Sequence, residues 1–322
     1  MNTKPILIVS GEPYSVLFEI LFKSLGKYKP KNPLILVGSK RLMQDQITEL
    51  KLSKKISINF IKQNYKISDL KKNSINIIDV NFKYTRCFDK ISKKSKKYIE
   101  NCFEIALKLC KLNKISGFIN GPISKPHFLN NKFLGITEYL ADKTLSKNYV
   151  MLIYNKKISV APITTHLPLS KVSRSIKKKD IISKVRLIKE FYKKQFKIDP
   201  SIGITGLNPH NENIYQISEE EKIIKPAIRF LKKRYNNVDG PFPADSLFMK
   251  KNLKKFDVIV GMYHDQVLTP IKALYNFEPI NITLGLPFLR ISPDHGTNNQ
   301  MIGKNKSNPL SLIKAIKFLD QN

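Results

Sequence analysis

Short apolar runs recur along this 322-residue chain, each closed by a glycine or a polar turn. They alternate with longer stretches in which apolar positions return every three or four residues. The first pattern predicts strands buried on both faces, the second predicts helices packed by one face. Ile6-Leu7-Ile8-Val9 reads as a first strand entering the turn Ser10-Gly11-Glu12-Pro13, and residues 18–25 read as a helix that ends at Gly26. Further strands are predicted over residues 34–38, 56–61 and 75–80, with a helix over 41–50. Residues 96–112 form a long amphipathic segment, with Ile99, Cys102, Phe103, Ala106 and Leu107 on its apolar side, and it leads into a strand at Gly117 and the turn Gly121-Pro122.

Beyond residue 149 the strand signals become denser. Residues 150–154 and 158–163 can pair as a hairpin through Asn155-Lys156-Lys157, which places an antiparallel element in the sheet. A helix over 180–196, with Asp180 near its start and lysines in its last turn, is matched to the helix dipole. Strands at 202–206, 258–260 and 280–284 follow, together with a helix over 219–235 bent at Pro226 and a closing helix over 309–319. The alternation predicts an α/β fold with a mostly parallel sheet covered on both faces. The texture changes around residues 130–150, which suggests two domains.

Composition adds one strong feature. Lys+Arg 57 against Asp+Glu 25 gives a formal net charge of +32. A polyanion partner would account for it, but the lysines are scattered and the densest clusters, Lys93-Lys94-Ser95-Lys96-Lys97 and Lys177-Lys178-Lys179, are short. A nucleic-acid footprint gathers on one element, so the charge reads as a solvated, lysine-rich surface and argues against nucleic acid. An anionic small substrate fits either reading. Cys87, Cys102 and Cys110 are odd in number without metal-type spacing, which suits a reducing compartment. The start of the chain enters a strand at once, and no run approaches a signal peptide or a membrane span. These readings point to the cytoplasm and away from a membrane.

Candidate chemistry lies at strand ends, where open parallel sheets bind their ligands. The run Val258-Ile259-Val260-Gly261-Met262-Tyr263 leads into His264-Asp265. Ile163-Thr164-Thr165 leads into His166, and Gly206-Leu207-Asn208-Pro209 into His210. Any one of these histidines alone reads as structural. Three of the five histidines in the chain at equivalent positions make a set of imidazoles suited to a catalytic divalent metal. Asp245 and Asp265 can orient ligands or donate an oxygen. Arg290 closes an apolar stretch that begins at Asn281, and an arginine there needs a partner. With Lys272 it suits a phosphate or carboxylate, although each also reads as a cation with its stem on the surface. Asp294 and His295 lie just beyond. Neither a Gly-x-Gly-x-x-Gly nor a P-loop motif occurs, so a nucleotide cofactor needs another mode of binding.

Six segments in order, Thr164-Thr165-His166-Leu167-Pro168-Leu169, Gly206-Leu207-Asn208-Pro209-His210, Gly240-Pro241-Phe242-Pro243-Ala244-Asp245, Tyr263-His264-Asp265-Gln266, Asn281 to Arg290 and Asp294-His295-Gly296-Thr297, resemble the 4-hydroxythreonine-4-phosphate dehydrogenase family, PdxA. The resemblance runs essentially the full length. It implies an isocitrate/isopropylmalate-dehydrogenase-like α/β fold of two α/β/α domains with a cleft between them: residues 1–135 plus 290–322 in the first, and 136–289 in the second, which carries the metal histidines and the dimer interface. It also implies a homodimer with shared active sites, in which His166, His210 and His264 bind Zn, Mg or Co, the third histidine coming from the partner subunit. Thr137, Lys272, Asn281 and Arg290 match its substrate-binding positions, with Lys272, Asp245 and Asp265 as catalytic candidates. The cofactor implied is NAD or NADP.

The implied activity is oxidation of 4-phosphooxy-L-threonine to 2-amino-3-oxo-4-phosphooxybutanoate, which decarboxylates to 3-amino-2-oxopropyl phosphate in pyridoxal phosphate biosynthesis. The chain is a divergent member. Gly11-Glu12-Pro13-Tyr14-Ser15-Val16-Leu17-Phe18-Glu19 replaces a glycine-rich opening turn, Ile136 stands where the family has histidine, and Asn211-Glu212-Asn213 shortens a glycine-rich loop. Two alternatives follow: a dehydrogenase of another phosphorylated four-carbon hydroxy acid, and a non-catalytic basic binding protein on the same fold.

Overall fold

The β-branched and leucine-rich runs of the sequence become strands, and the stretches of helical period pack over them. The computed structural model describes residues 4–52, 56–130, 132–211, 218–276, 278–293 and 296–321. It divides into two compact units, Met1–Leu140 with Pro287–Asn322, and Ala141–Leu286.

The first unit opens with β1 (Ile6–Val9), α1 (Leu17–Lys27), β2 (Leu34–Gly38), α2 (Lys40–Glu49), β3 (Ser57–Phe60) and β4 (Ser74–Asp79). It continues through α3 (Lys96–Lys111), β5 (Gly117–Asn120), α4 (Lys125–Phe128) and the start of α5 (Ile136–Lys143). The second unit holds β6 (Val150–Tyr154), β7 (Ser159–Pro162), α6 (Leu169–Ser175), α7 (Lys178–Phe196), β8 (Ile202–Thr205), α8 (Lys225–Lys232) and β9 (Val238–Phe242). There follow α9 (Ala244–Leu247), α10 (Lys250–Leu253), β10 (Val258–Gly261), α11 (His264–Tyr275) and β11 (Ile280–Leu284). The chain then returns to the first unit with β12 (Arg290–Ser292) and α12 (Leu310–Asp320).

In the first unit the strands run in the order β3-β4-β2-β1-β5-β12, every neighbouring pair parallel. Strand β1 lies in the middle of that order, and Ile6, Leu7, Ile8 and Val9 are all buried, as a strand covered on both faces must be. In the second unit the order is β11-β6-β7-β10-β8-β9. Strands β7, β10, β8 and β9 are parallel, whereas β6 is antiparallel to both β7 and β11. The hairpin expected through Asn155-Lys156-Lys157 is present, with Ile153 opposite Val160.

Two features of local structure depart from the sequence pattern or sharpen it. Gly26 does not end α1: the helix passes through it to Lys27, and Tyr28 N donates to Ser24 O at 2.8 Å. Gly26 has no neighbour within 4 Å of where a Cβ would stand and does not adopt positive φ, so nothing there imposes the left-handed cap that usually recruits glycine. The helix expected over 219–235 opens as a π-helical turn, Glu220–Ile224, before α8 begins. Pro226 has no N–H to give the carbonyl of Lys222, and its ring crowds that carbonyl, so a widened turn is the accommodation.

Candidate functional site

In the second unit β10 lies between β7 and β8, so the segments bearing His166, His264 and His210 leave three adjacent parallel strands at their carboxyl ends. The β7–β10 pairing continues past the strand ends. Ile163 N donates to Gly261 O at 2.7 Å, and Met262 O accepts from both Thr164 N, at 3.1 Å, and Thr164 Oγ1, at 2.8 Å. Locked this way, the chain brings the His166 and His264 rings to 5.8 Å between centroids. His264 is the first residue of α11, and its Nδ1 lies 2.6 Å from Asp265 Oδ1. His210 sits in the turn Pro209–Asn211 with φ 56° and ψ 0°, a left-handed conformation that costs a non-glycine residue energy.

Among the described residues no three His, Cys, Asp or Glu side chains converge as a metal cluster. The chain by itself therefore gathers two imidazoles, His166 and His264, and does not close a three-histidine set with His210. The pair is accessible and has a carboxylate behind one ring, which is the usual way a ligating histidine is oriented. Imidazole donors suit Zn or Co better than Mg, which favours shells of oxygen.

The other expected residues of this unit are placed separately. Asp245 lies exposed in the first turn of α9, where its Oδ1 accepts from Ser246 N at 2.7 Å. Lys272 is exposed in the last turn of α11. Asn281 lies in β11, and its Oδ1 is enclosed without a hydrogen bond among the described residues. Asp294, His295, Glu212 and Asn213 lie outside the described residues.

Two residues of this unit were missed by sequence reasoning. Gln266 Oε1 accepts from Thr205 Oγ1 at 2.9 Å and Met262 N at 2.6 Å, while its Nε2 donates to Gly206 O at 2.8 Å. One amide thus ties the end of β8 to the end of β10. Glu220 is wholly buried. Its Oε1 accepts from Leu207 N at 2.7 Å and Asn208 N at 2.8 Å, and its Oε2 from Asn208 Nδ2 at 2.8 Å. Burial pushes the Glu220 carboxyl up, but these bonds outweigh it and hold the group below its ordinary range. The sequence signal was slight: Glu220 falls at the start of the helix expected over 219–235.

In the first unit Arg290 opens β12 opposite Phe118 of β5. Its guanidinium is wholly buried, which removes the reading of a side chain reaching out to solvent. Nε donates to Asn120 Oδ1 at 2.7 Å and Nη1 to Thr137 Oγ1 at 3.2 Å. Burial lowers the Arg290 pKa to about 9, with nearby Glu138 opposing the loss of charge. Thr137 is therefore a partner of Arg290 in α5, and the preceding Ile136 is half-buried.

The altered turn after β1 is also in this unit. Residues 11–16 are all buried, and Gly11, at φ +69°, would place a Cβ 2.4 Å from Pro122 O. Glu12 Oε1 accepts from Ser95 Oγ at 2.9 Å, whereas Oε2 is enclosed and has no hydrogen-bond partner among the described residues. Burial pushes the Glu12 carboxyl up to about 7, against the hydrogen bonds from Ser95 and Tyr14.

The sequence pattern of the family described as "Pyridoxal phosphate biosynthetic protein PdxA" matches residues 29–319. The chain belongs to the PdxA family. A 4-hydroxythreonine-4-phosphate dehydrogenase of Sulfurihydrogenibium sp. (strain YO3AOP1) is 38% identical over 321 residues, covering 97% of this chain and 96% of the relative. A D-threonate 4-phosphate dehydrogenase of Salmonella typhimurium is 29% identical over 334 residues, covering 100% and 99%. The crystal structure of 4-hydroxythreonine-4-phosphate dehydrogenase from Klebsiella pneumoniae superposes with a TM-score of 0.85 at 26% identity, covering 99% of both chains. An isocitrate dehydrogenase from Methylococcus capsulatus shares the fold alone, with a TM-score of 0.52 at 10% identity, covering 99% of this chain and 85% of that one. The PdxA fold expected from the sequence is thus the fold found. Among the described residues no helix is long and apolar enough to cross a membrane.

Proposed function

We propose that this PdxA-family chain oxidises 4-phosphooxy-L-threonine to 2-amino-3-oxo-4-phosphooxybutanoate, which then loses carbon dioxide to give 3-amino-2-oxopropyl phosphate. The observation that carries the reading is the placement of His166, His264 and His210 at the carboxyl ends of three adjacent parallel strands, with Asp265 behind His264. Family membership and the relative from Sulfurihydrogenibium supply the substrate.

His166, His210 and His264, with the third histidine coming from the partner subunit of a homodimer, would hold a divalent cation, which when bound would supply Lewis acidity that lowers the pKa of the substrate alcohol. The chain's own residues do the rest. Asp265 accepts the His264 Nδ1 proton, which fixes the tautomer and leaves Nε2 as the donor atom. Asn281 is carried as a substrate-binding residue by its match to the family's position. Arg290, held by Asn120 and Thr137, is carried as a substrate-binding residue in the same way. Oxidation takes a hydride from the hydroxyl-bearing carbon and a proton from its oxygen. Lys272 is the proton carrier, and Asp245 orients the site. NAD or NADP would supply the hydride acceptor.

Reduced nicotinamide absorbance with 4-phosphooxy-L-threonine tests the reading, with chelator and His264→Ala as controls. No turnover with metal and either NAD or NADP present would overturn it. A second reading, oxidation of D-threonate 4-phosphate, is favoured by the full-length relative from Salmonella and by Ile136. Side-by-side kcat/KM values for the two substrates decide between them.

A further inference from the structure

The turn that carries His210 is held by a carboxylate from outside it. Residues 206–211 leave β8, and two consecutive backbone N–H groups, those of Leu207 and Asn208, point at the same oxygen of Glu220. The second oxygen takes Asn208 Nδ2, which also reaches Glu219 Oε2 at 3.0 Å. Asn211 Nδ2 donates to Pro241 O at 3.0 Å on the other side. Gly206 permits the close packing of this turn, since a Cβ there would stand 1.7 Å from Asn211 Oδ1 and 3.1 Å from Glu220 Oε1. A fully buried carboxylate is expensive unless its lone pairs are satisfied, and here the donors come from the histidine-bearing turn.

We propose that Glu220 is a positioning residue for the metal site, fixing the turn at residues 206–211 so that the strained His210 presents its imidazole as a ligand. The π-helical turn is what makes this possible. By widening the helix start at Glu220–Ile224 it carries one carboxylate inward to the end of β8, while the next turn continues as α8. Left-handed φ at His210 persists only where its surroundings over-determine it, and the Glu220 bonds provide that constraint two residues upstream.

The inference rests on the reading of His210 as a metal ligand, and the test separates the two. Cobalt(II) is titrated into the full chain at a temperature where every variant is folded by circular dichroism, and affinity is followed by the visible cobalt absorption. Glu220→Gln is expected to weaken cobalt binding by about tenfold or more, the range typical of residues that orient ligands, and to shift the spectrum toward that of His210→Ala. Amide exchange at Leu207 and Asn208 should quicken in parallel. Wild-type affinity and spectrum in Glu220→Gln overturn the proposal while leaving the metal reading intact. A wild-type chain that takes no cobalt, or His210→Ala that binds as wild type does, overturns both. Should Glu220→Gln fail to fold, Asn208→Ala removes only the side-chain bonds, and a smaller loss of affinity is expected. Unchanged binding in that variant also overturns the proposal.

Discussion

Arg290 Nε donates to Asn120 Oδ1 at 2.7 Å in a place where neither side chain reaches solvent. A buried guanidinium held this way has two consequences. Its bonds add little net stability, because burying a charge costs about as much as they return. It also makes Asn120 a residue whose loss is severe. Asn120→Leu is expected to destabilise the protein by about 3 kcal/mol, the upper range for leaving a buried donor unsatisfied because this donor is charged. Arg290→Met in the Asn120→Leu background should recover much of that loss, a non-additivity that thermal or urea unfolding of the four proteins will show. Arg290→Met alone should abolish turnover of phosphorylated substrate without a comparable fall in stability.

Glu12 gives the fold a pH dependence of unusual sign for a carboxyl group. Its folded pKa is raised to about 7 from an ordinary 4.5. Below the lower value both folded and unfolded chains hold the proton, and the protein is at its most stable with respect to this group. As pH rises from about 4.5 through 7 the unfolded chain gives the proton up first, so stability falls. The difference corresponds to about 3 kcal/mol when integrated over the shift. Urea unfolding between pH 5 and pH 8 should therefore show a declining contribution that disappears in Glu12→Gln. An identical slope in both proteins would rule out Glu12 as its source.

Much of this architecture was legible in the chain, for identifiable reasons. Ile6 to Val9, Leu34 to Val37 and Val258 to Val260 are apolar throughout, so their burial in parallel strands needed no long-range information. His166, His210 and His264 could be placed at strand ends because each follows such a run. That the three strands are neighbours could not be seen, since β10 is inserted between β7 and β8 and nothing local records strand order. Val238–Phe242 and Arg290–Ser292 were missed as strands because Asp239, Pro241 and Arg290 hide the pattern. Glu220 and Asn120 were missed for a related reason. A buried polar residue is recognisable only with its partners, and those lie 12 and 170 residues away.

Asp265 provides a test of how the metal site is oriented. Its Oδ1 lies 2.6 Å from His264 Nδ1, and replacing the carboxylate weakens the preference for the tautomer that leaves Nε2 free. Asp265→Asn should raise the dissociation constant for Zn or Co by about 10–100-fold while leaving the fold intact, because Asp265 is exposed. Activity lost at low metal should return when metal is in excess. Loss that excess metal does not restore would assign Asp265 a direct role in proton transfer instead.

The net charge of +32 remains to be placed, and ionic strength discriminates its two meanings. For an enzyme acting on a doubly charged phosphate ester, a surface of scattered lysines raises the encounter rate through a field that salt screens within about 8 Å at physiological strength. Then kcat/KM should fall by about tenfold between low and high salt while kcat holds nearly constant, since chemistry inside the site is screened less. For a nucleic-acid-binding protein the expected signature is different: tight association with duplex DNA at low salt and a steep linear decline of log affinity with log salt, with a slope set by the phosphates neutralised. The dispersed lysines favour the first outcome, because a steep slope requires many cations on one face. A shallow slope for DNA together with salt-sensitive kcat/KM would assign the charge to substrate capture. The reverse pattern would revive the basic binding protein as the better description of this chain.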